Sequence, residues 1–338
     1  MRGVTFPSSQ GAKTSLSGAQ MRGAILDRTD LSSIDLSLSS LYGASLIGAS
    51  LQGAELNGVD LTGANLSGAN MSGTELRLTA LGFAKLDGAS LSFSRVIGSD
   101  LTSASLVTAE LSGATFYGTR FDKAVLWGAS LPRREDLAWA DLGGAILSKP
   151  PSAQLALIKA SLDQIPEDIR RNFPWVMRFY RLSESDHEDD RAELESAAWA
   201  SLKTALGRDV GNASYQQETS KIITENACAV ASVSLAVERW LRRDTGYDIT
   251  HTPGPPLPVP GADQSLEKVA ANDLPTSAEL EYWTSFYPDT VVPLPPWYDA
   301  TSLIDRLANG TCPASPSINQ SVLSSMRTWN ESGRKKSD

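Results

Sequence analysis

A large apolar residue recurs at every fifth position from Leu16 through Leu131, 24 positions without a miss. Met21, Met71, Val96, Phe116 and Phe121 are the centres that are not Leu. Two residues before each centre the side chain is usually small, and Ala fills 14 of these 24 positions. Gly commonly follows the centre by two, and Asp or Asn often stands just before it, as in "LTGANLSGANMSG". A period of five matches neither the helical turn of 3.6 residues nor the two-residue alternation of a strand, so the chain must turn one corner per unit. Four corners close a square. The centres and the small residues before them then share one crowded interior, and residues twenty apart stack in columns.

This unit, A-[D/N]-L-x-x, resembles that of the pentapeptide-repeat family. The resemblance covers about residues 14–148 and implies a right-handed quadrilateral β-helix with four units per coil, in which the other three positions of each unit face outward. Asp30, Asp35, Asp60, Asn65, Asn70 and Asp100 are then surface or turn residues, and outward Thr62 and Ser67 should tolerate replacement within about half a kcal/mol. The phase slips by one in "LPRREDLAWADLGGAIL", which predicts a local bulge or short loop at Pro132–Asp136 before Leu137, Leu142 and Leu147 resume the pattern. About seven coils follow, a rod on the order of 30 Å long. An interior of packed aliphatic and aromatic side chains leaves no cavity, so any function must sit on a face, at an end or in the other half.

One outward column runs Asp27, Ile47, Ser67, Asp87, Val107, Trp127, and a face read as adjoining presents Leu38, Leu78, Ile97 and Tyr117. Ile97, Val107, Tyr117 and Trp127 form a candidate interaction surface, or else the ground on which the second half of the chain docks. At the other end Phe6 is in register with Leu16, and Val4 takes the small inward position. Val4 and Phe6 are thus a candidate end contact, since an open coil exposes strand edges.

The five-residue rhythm stops at Lys149-Pro150-Pro151, dividing the chain into a repeat half, 1–148, and a mainly helical half, 149–338. Amphipathic helices are expected from Ser152 as N-cap to a break at Pro166, over 191–206, and as one long helix over 215–243. Six of the eight Trp residues lie beyond residue 150, so this half has its own core. "HTPGPPLPVPGADQ" and "YPDTVVPLPPWYD" read as semi-rigid connectors, and "NESGRKKSD" as a frayed tail. The helical half is similar to the region after the repeats in large proteobacterial pentapeptide-repeat membrane proteins. By that likeness an upstream region is where membrane association would reside.

Chemistry is sparsely represented. Asp35, Glu55 and Glu75 form one short acidic column with Arg95 next in line, which reads as a solvated face. His187 sits among Glu184, Asp186, Glu188, Asp189 and Asp190, more in the manner of an exposed linker than of a metal site. Neither His187 nor His251 belongs to a hydrolase motif, and "GVDLTGANLSGAN" has no lysine and no following helix, so no phosphate loop is present. No cofactor is expected. Cys228 and Cys312 are read either as unbonded thiols, Cys228 buried on its helix, or as a disulfide that implies an oxidising compartment. No run is long and apolar enough to span a membrane, so the chain reads as soluble, with the cytoplasm slightly favoured.

The net charge is −9, which offers no general basic surface for nucleic acid. The reading that follows is a non-enzymatic scaffold that binds a protein partner. The alternatives are an enzyme in the helical half, or the topoisomerase-binding branch of the family, whose acidic rods mimic duplex DNA and protect gyrase from quinolones. Residues 1–148 carry 13 acidic and 11 basic side chains, a net of −2, so most of the charge lies outside the rod. A DNA mimic needs the opposite distribution.

Overall fold

Each five-residue unit turns its corner with the chain in the left-handed region two residues after the centre, where Gly68 has φ +68°. In most units the backbone N–H three residues after the centre closes the turn on the centre's carbonyl, as Ala69 N does on Leu66 O at 3.0 Å. This is the turn geometry that favours glycine at its third position, which accounts for the recurrent Gly. Successive coils are joined by parallel pairing twenty residues apart: Leu46 N donates to Asn65 O at 2.7 Å, and Asn65 N to Ala44 O at 2.8 Å. The result is a parallel β-helix with four corners per coil. On one face the pairing lengthens into three parallel strands, β1 (Glu75–Arg77), β2 (Arg95–Ile97) and β3 (Thr115–Tyr117).

The structure is a computed structural model and describes residues 14–137, 139–183, 190–206, 213–244, 294–295 and 297–337. Val4, Phe6, His187 with its acidic neighbours, His251 and the first proline-rich connector lie outside the described residues.

Centres from Leu31 to Leu126 are almost without solvent exposure, as are the alanines before them, so both inward positions follow the expected phase. The polar residue before a centre has a defined task. Asn65 Oδ1 accepts Ser67 N at 3.1 Å, and Asp30, Asp35, Asp60, Asn70 and Asp100 each accept the N–H two residues on. These carboxylates and amides satisfy backbone donors that the coil-to-coil ladder leaves over. Along the face of β1–β3 the small inward position carries hydroxyls instead of Ala. Thr79 Oγ1 donates to Leu56 O at 2.6 Å, Ser99 Oγ to Leu76 O at 2.7 Å and Thr119 Oγ1 to Val96 O at 2.9 Å, one rung per coil.

The phase slip becomes a 3-10 turn over Arg134–Leu137, anchored by Arg133 Nε donating to Asp136 Oδ2 at 2.7 Å. Beyond it the pairing interval is 21 residues, Arg120 with Asp141 and Val125 with Ile146, which absorbs the extra residue.

The helical half begins with α1 (Ser152–Leu162), α2 (Glu167–Arg170) and α3 (Pro174–Ser183). Pro151, not Ser152, holds the N-cap position, and no side chain caps that end. Next come α4 (Asp190–Leu206), α5 (Ala213–Ala229), α6 (Ala231–Asp244), α7 (Thr301–Ala308) and α8 (Gln320–Ser337). The single long helix expected over 215–243 is two, α5 and α6, broken at Val230. The carbonyls at the break have other partners: Ser234 Oγ donates to Ala227 O at 2.6 Å and Ala314 N to Cys228 O at 3.0 Å. The tail expected to fray is the end of α8, where Asn330 is buried and accepts Ala300 N at 2.9 Å. Among the described residues no helix is long and apolar enough to cross a membrane.

Among the described residues, three contact regions bind this half to the rod. Ile158, Leu162, Ile165, Val176 and Phe179 form one apolar cluster with Ile47, Val107 and Trp127. The layer approaches so closely that a Cβ on Gly68 would lie 2.5 Å from Ile165 Cδ1. On another face Ile223, Ala236 and Trp240 cluster with Leu78 and Ala80, Trp240 Nε1 donates to Leu78 O at 2.8 Å, and Arg239 Nη1 to Leu38 O at 2.8 Å. At the C-terminal end Trp199 of α4 enters the rod's own core cluster and donates from Nε1 to Ala129 O at 3.1 Å.

Candidate functional site

The apolar columns singled out in the sequence are enclosed by the chain itself. Ile97, Val107 and Trp127 are 5%, 0% and 6% exposed, and Tyr117 is half-buried. As an open interaction surface this set is therefore corrected, because the amphipathic helices bring their apolar sides to these same columns. The two columns also lie on opposite faces, not adjoining ones, since centres Leu26 and Leu36 are two units apart in a four-unit coil. Ser67 is covered as well, fully buried with its hydroxyl on Asn65 Oδ1 at 2.7 Å, so it is not the dispensable outward residue expected. The acidic column keeps its register, Asp35 with Glu55 and Glu55 with Glu75. Glu75 is ion-paired to Arg77 at 2.7 Å and to Arg95 at 3.6 Å. Cys228 and Cys312 form a disulfide between the end of α5 and the segment joining α7 to α8, with Cα atoms 4.8 Å apart. The unbonded-thiol reading is overturned, because helix packing brings two residues 84 apart in sequence into contact.

Asp87 lies in the column under α1–α3 and is 2% exposed. Its Oδ1 accepts Val107 N at 3.2 Å and the Ser105 hydroxyl. Asp27 does the same for Ile47 N and Ser45, so each carboxylate serves a coil where serine precedes the centre. Burial raises Asp87 from its ordinary 3.8 to about 7, against the pull of the Ser105 and Val107 hydrogen bonds and of Lys85. The folded pKa lies above the unfolded one, so the contribution is whole below pH 3.8 and is lost as pH rises through about 7. Over that window wild type should lose stability relative to Asp87→Asn at no more than about 1.4 kcal/mol per pH unit. Parallel urea-unfolding curves for the two proteins at every pH would refute this.

Two further faces are partly exposed among the described residues, although Gly43 and Gly82 on the first are buried. One, over centres Met21 to Phe121, bears Arg22 stacked 5.0 Å above the Tyr42 ring, then Thr62, Thr102 and Asp122. The other, over Leu31 to Leu111, bears Ser32, Gln52, Ser72, Ser92 and Ser112. Among the described residues, added Cβ atoms at Gly23, Gly63 and Gly73 would meet nothing within 4 Å. The second face is a shallow hydroxyl surface, with Ser32 and Ser50 paired at 2.6 Å and Ser72 and Ser90 at 2.9 Å. Phe93 rises from it, 74% exposed at φ +58°, with its ring over Gly113. The sequence signal for Phe93 is an aromatic residue in the outward position that glycine usually holds. Among the described residues no group of three or more His, Cys, Asp or Glu side chains is placed to hold a metal ion.

The profile of the family described as Pentapeptide repeats matches in eight copies, over residues 12–41, 39–77 and 89–128. No curated protein matches. Among solved structures, the chain is similar to HetL, a pentapeptide repeat protein involved in heterocyst differentiation regulation from the cyanobacterium Nostoc sp. strain PCC 7120. The two are 30% identical over 40% of this chain and 70% of HetL, with a TM-score of 0.23. Another Nostoc pentapeptide repeat protein, alr5209, is 34% identical over 32% of this chain and 84% of its own, with a TM-score of 0.25. QnrB1, a plasmid-mediated fluoroquinolone resistance protein, is 23% identical over 48% of this chain and 77% of its own, with a TM-score of 0.29. With the five-residue period unbroken over 24 centres and the family profile matching along it, this chain belongs to the pentapeptide-repeat family.

Proposed function

We propose that the protein is a non-enzymatic interaction scaffold, a right-handed rod of about seven coils held between its own helices, whose exposed serine face receives a protein partner. The observation that carries this reading is the coverage itself. Among the described residues, the helices occupy two opposite faces and one end, and the serine face stays exposed, with Phe93 projecting from it. Aromatic side chains are the common anchors of protein interfaces, and a hydroxyl rim suits a contact that forms and dissociates. The Cys228–Cys312 bond supports folding in an oxidising compartment.

A photo-reactive residue placed at Phe93 or Gln52 should crosslink a partner in native extract, while one at buried Ile97 should crosslink only within the chain. Partner crosslinks confined to the helical half would overturn the reading. The rod's net charge of −2 also predicts that micromolar protein neither inhibits gyrase supercoiling nor rescues it from a fluoroquinolone. Rescue that weakened steeply with salt would favour DNA mimicry instead.

A further inference from the structure

Two Asn-Gly pairs occur in the chain, Asn57–Gly58 and Asn309–Gly310. In such a pair the following backbone nitrogen can attack the side-chain amide carbon with no Cβ to obstruct it. The fold treats the two pairs oppositely. Asn57 is 1% exposed, and its Oδ1 accepts Arg77 N at 3.3 Å. Gly58 N is engaged with Arg77 O at 2.8 Å, and the position of a Gly58 Cβ lies 2.5 Å from Ala236 Cβ. Neither residue can turn to bring nitrogen and carbon together. Asn309 is the exposed C-cap of α7, at φ −90° and ψ 3°. Gly310 has nothing within 4 Å of a Cβ position, and its N–H makes only a long 3.4 Å contact with Leu307 O. Asn309 Oδ1 accepts Thr311 N at 3.1 Å, which folds the amide back over the Gly310 peptide.

We propose that Asn309 is a site of spontaneous covalent modification, converting to aspartate and isoaspartate, and that the fold protects Asn57 from the same reaction. The Gly310 nitrogen gives its proton to solvent and bonds to Asn309 Cγ. The Cγ–Nδ2 bond breaks and ammonia leaves, taking up a proton. Water then opens the resulting succinimide at one carbonyl or the other, giving aspartate or a backbone routed through Cβ. No electrons are transferred. Either product adds a negative charge at the C-terminal end of α7, where the helix carbonyls already concentrate negative potential. The isoaspartate product also inserts a methylene into the backbone three residues before Cys312, in the segment that the disulfide tethers to α5.

The test is to incubate the intact oxidised protein at mildly alkaline pH and body temperature, then reduce, digest and map it by mass spectrometry. Conversion of amide to acid is expected at Asn309 at least roughly tenfold faster than at Asn57, since Asn57 reacts only through local opening. In denaturant both should convert at similar rates. Equal rates at the two sites in the native protein would overturn the proposal. So would an Asn309 that stays intact while the denatured chain converts.

Discussion

Replacing Cys312 with alanine is expected to destabilise the helical half by about 3 to 5 kcal/mol, the range that chain-entropy arguments give for a loop of this length. The bond joins residues 84 apart, so without it the unfolded chain regains the freedom of a long loop, while the native contacts around it stay nearly unchanged. Both sulfurs belong to the cluster built by Ile223, Val233, Trp240, Leu303 and Met326, and Cys228 and Cys312 are 2% and 3% exposed. The bond therefore sits beyond easy reach of reductant until the helices part. Urea unfolding should show the loss in Cys312→Ala and in reduced wild type alike. Equal midpoints with and without reductant, or two reactive thiols in the denatured but unreduced protein, would remove the bond from the account.

Trp240→Ala should cost a similar amount, about 3 to 5 kcal/mol, because it combines a lost large side chain with a stranded acceptor. Trp240 is fully buried in the layer between α6 and the rod, and its indole N–H is spent on Leu78 O at 2.8 Å. Water cannot replace that donor in an apolar seam. The expected signature is a helical half that unfolds and becomes protease-sensitive before the rod, where wild type unfolds in one step. Phe93→Ala, an aromatic deletion of similar size at 74% exposure, should shift stability by less than about half a kcal/mol. If both variants melted alike, the docking of α5 and α6 on the rod would contribute nothing to stability.

The Asx-type hydrogen bonds show why some details were legible and others not. Asp30, Asn65 and Asp100 stand where the repeat places them, and a local rule, a carboxylate or amide accepting the N–H two residues on, explains them. Asp27 and Asp87 serve a donor twenty residues away, in the next coil, where serine holds the usual place. A reading along the chain takes them for outward polar residues. The break at Val230 escaped for a similar reason, since the 3.6-residue pattern runs straight through it and the partner of the Cys228 carbonyl, Ala314 N, comes from far along the chain.

The rod was determined by the sequence alone, because a period of five admits one compact solution. Each unit contributes one corner and one pair of inward side chains, and identical neighbours twenty residues away provide both the hydrogen bonds and the core. Information that repeats every five residues needs no distant partner to be interpreted. The use of the rod's surface was decided by tertiary structure. Ile97, Val107 and Trp127 looked the same in sequence whether they awaited another molecule or the chain's own helices, since hydrophobic attraction has no direction and does not name its partner. Only the path of α1–α3 and α5–α6 onto opposite faces enclosed those residues. Among the described residues that path also left Phe93 and the serine face exposed, and brought Cys228 to Cys312.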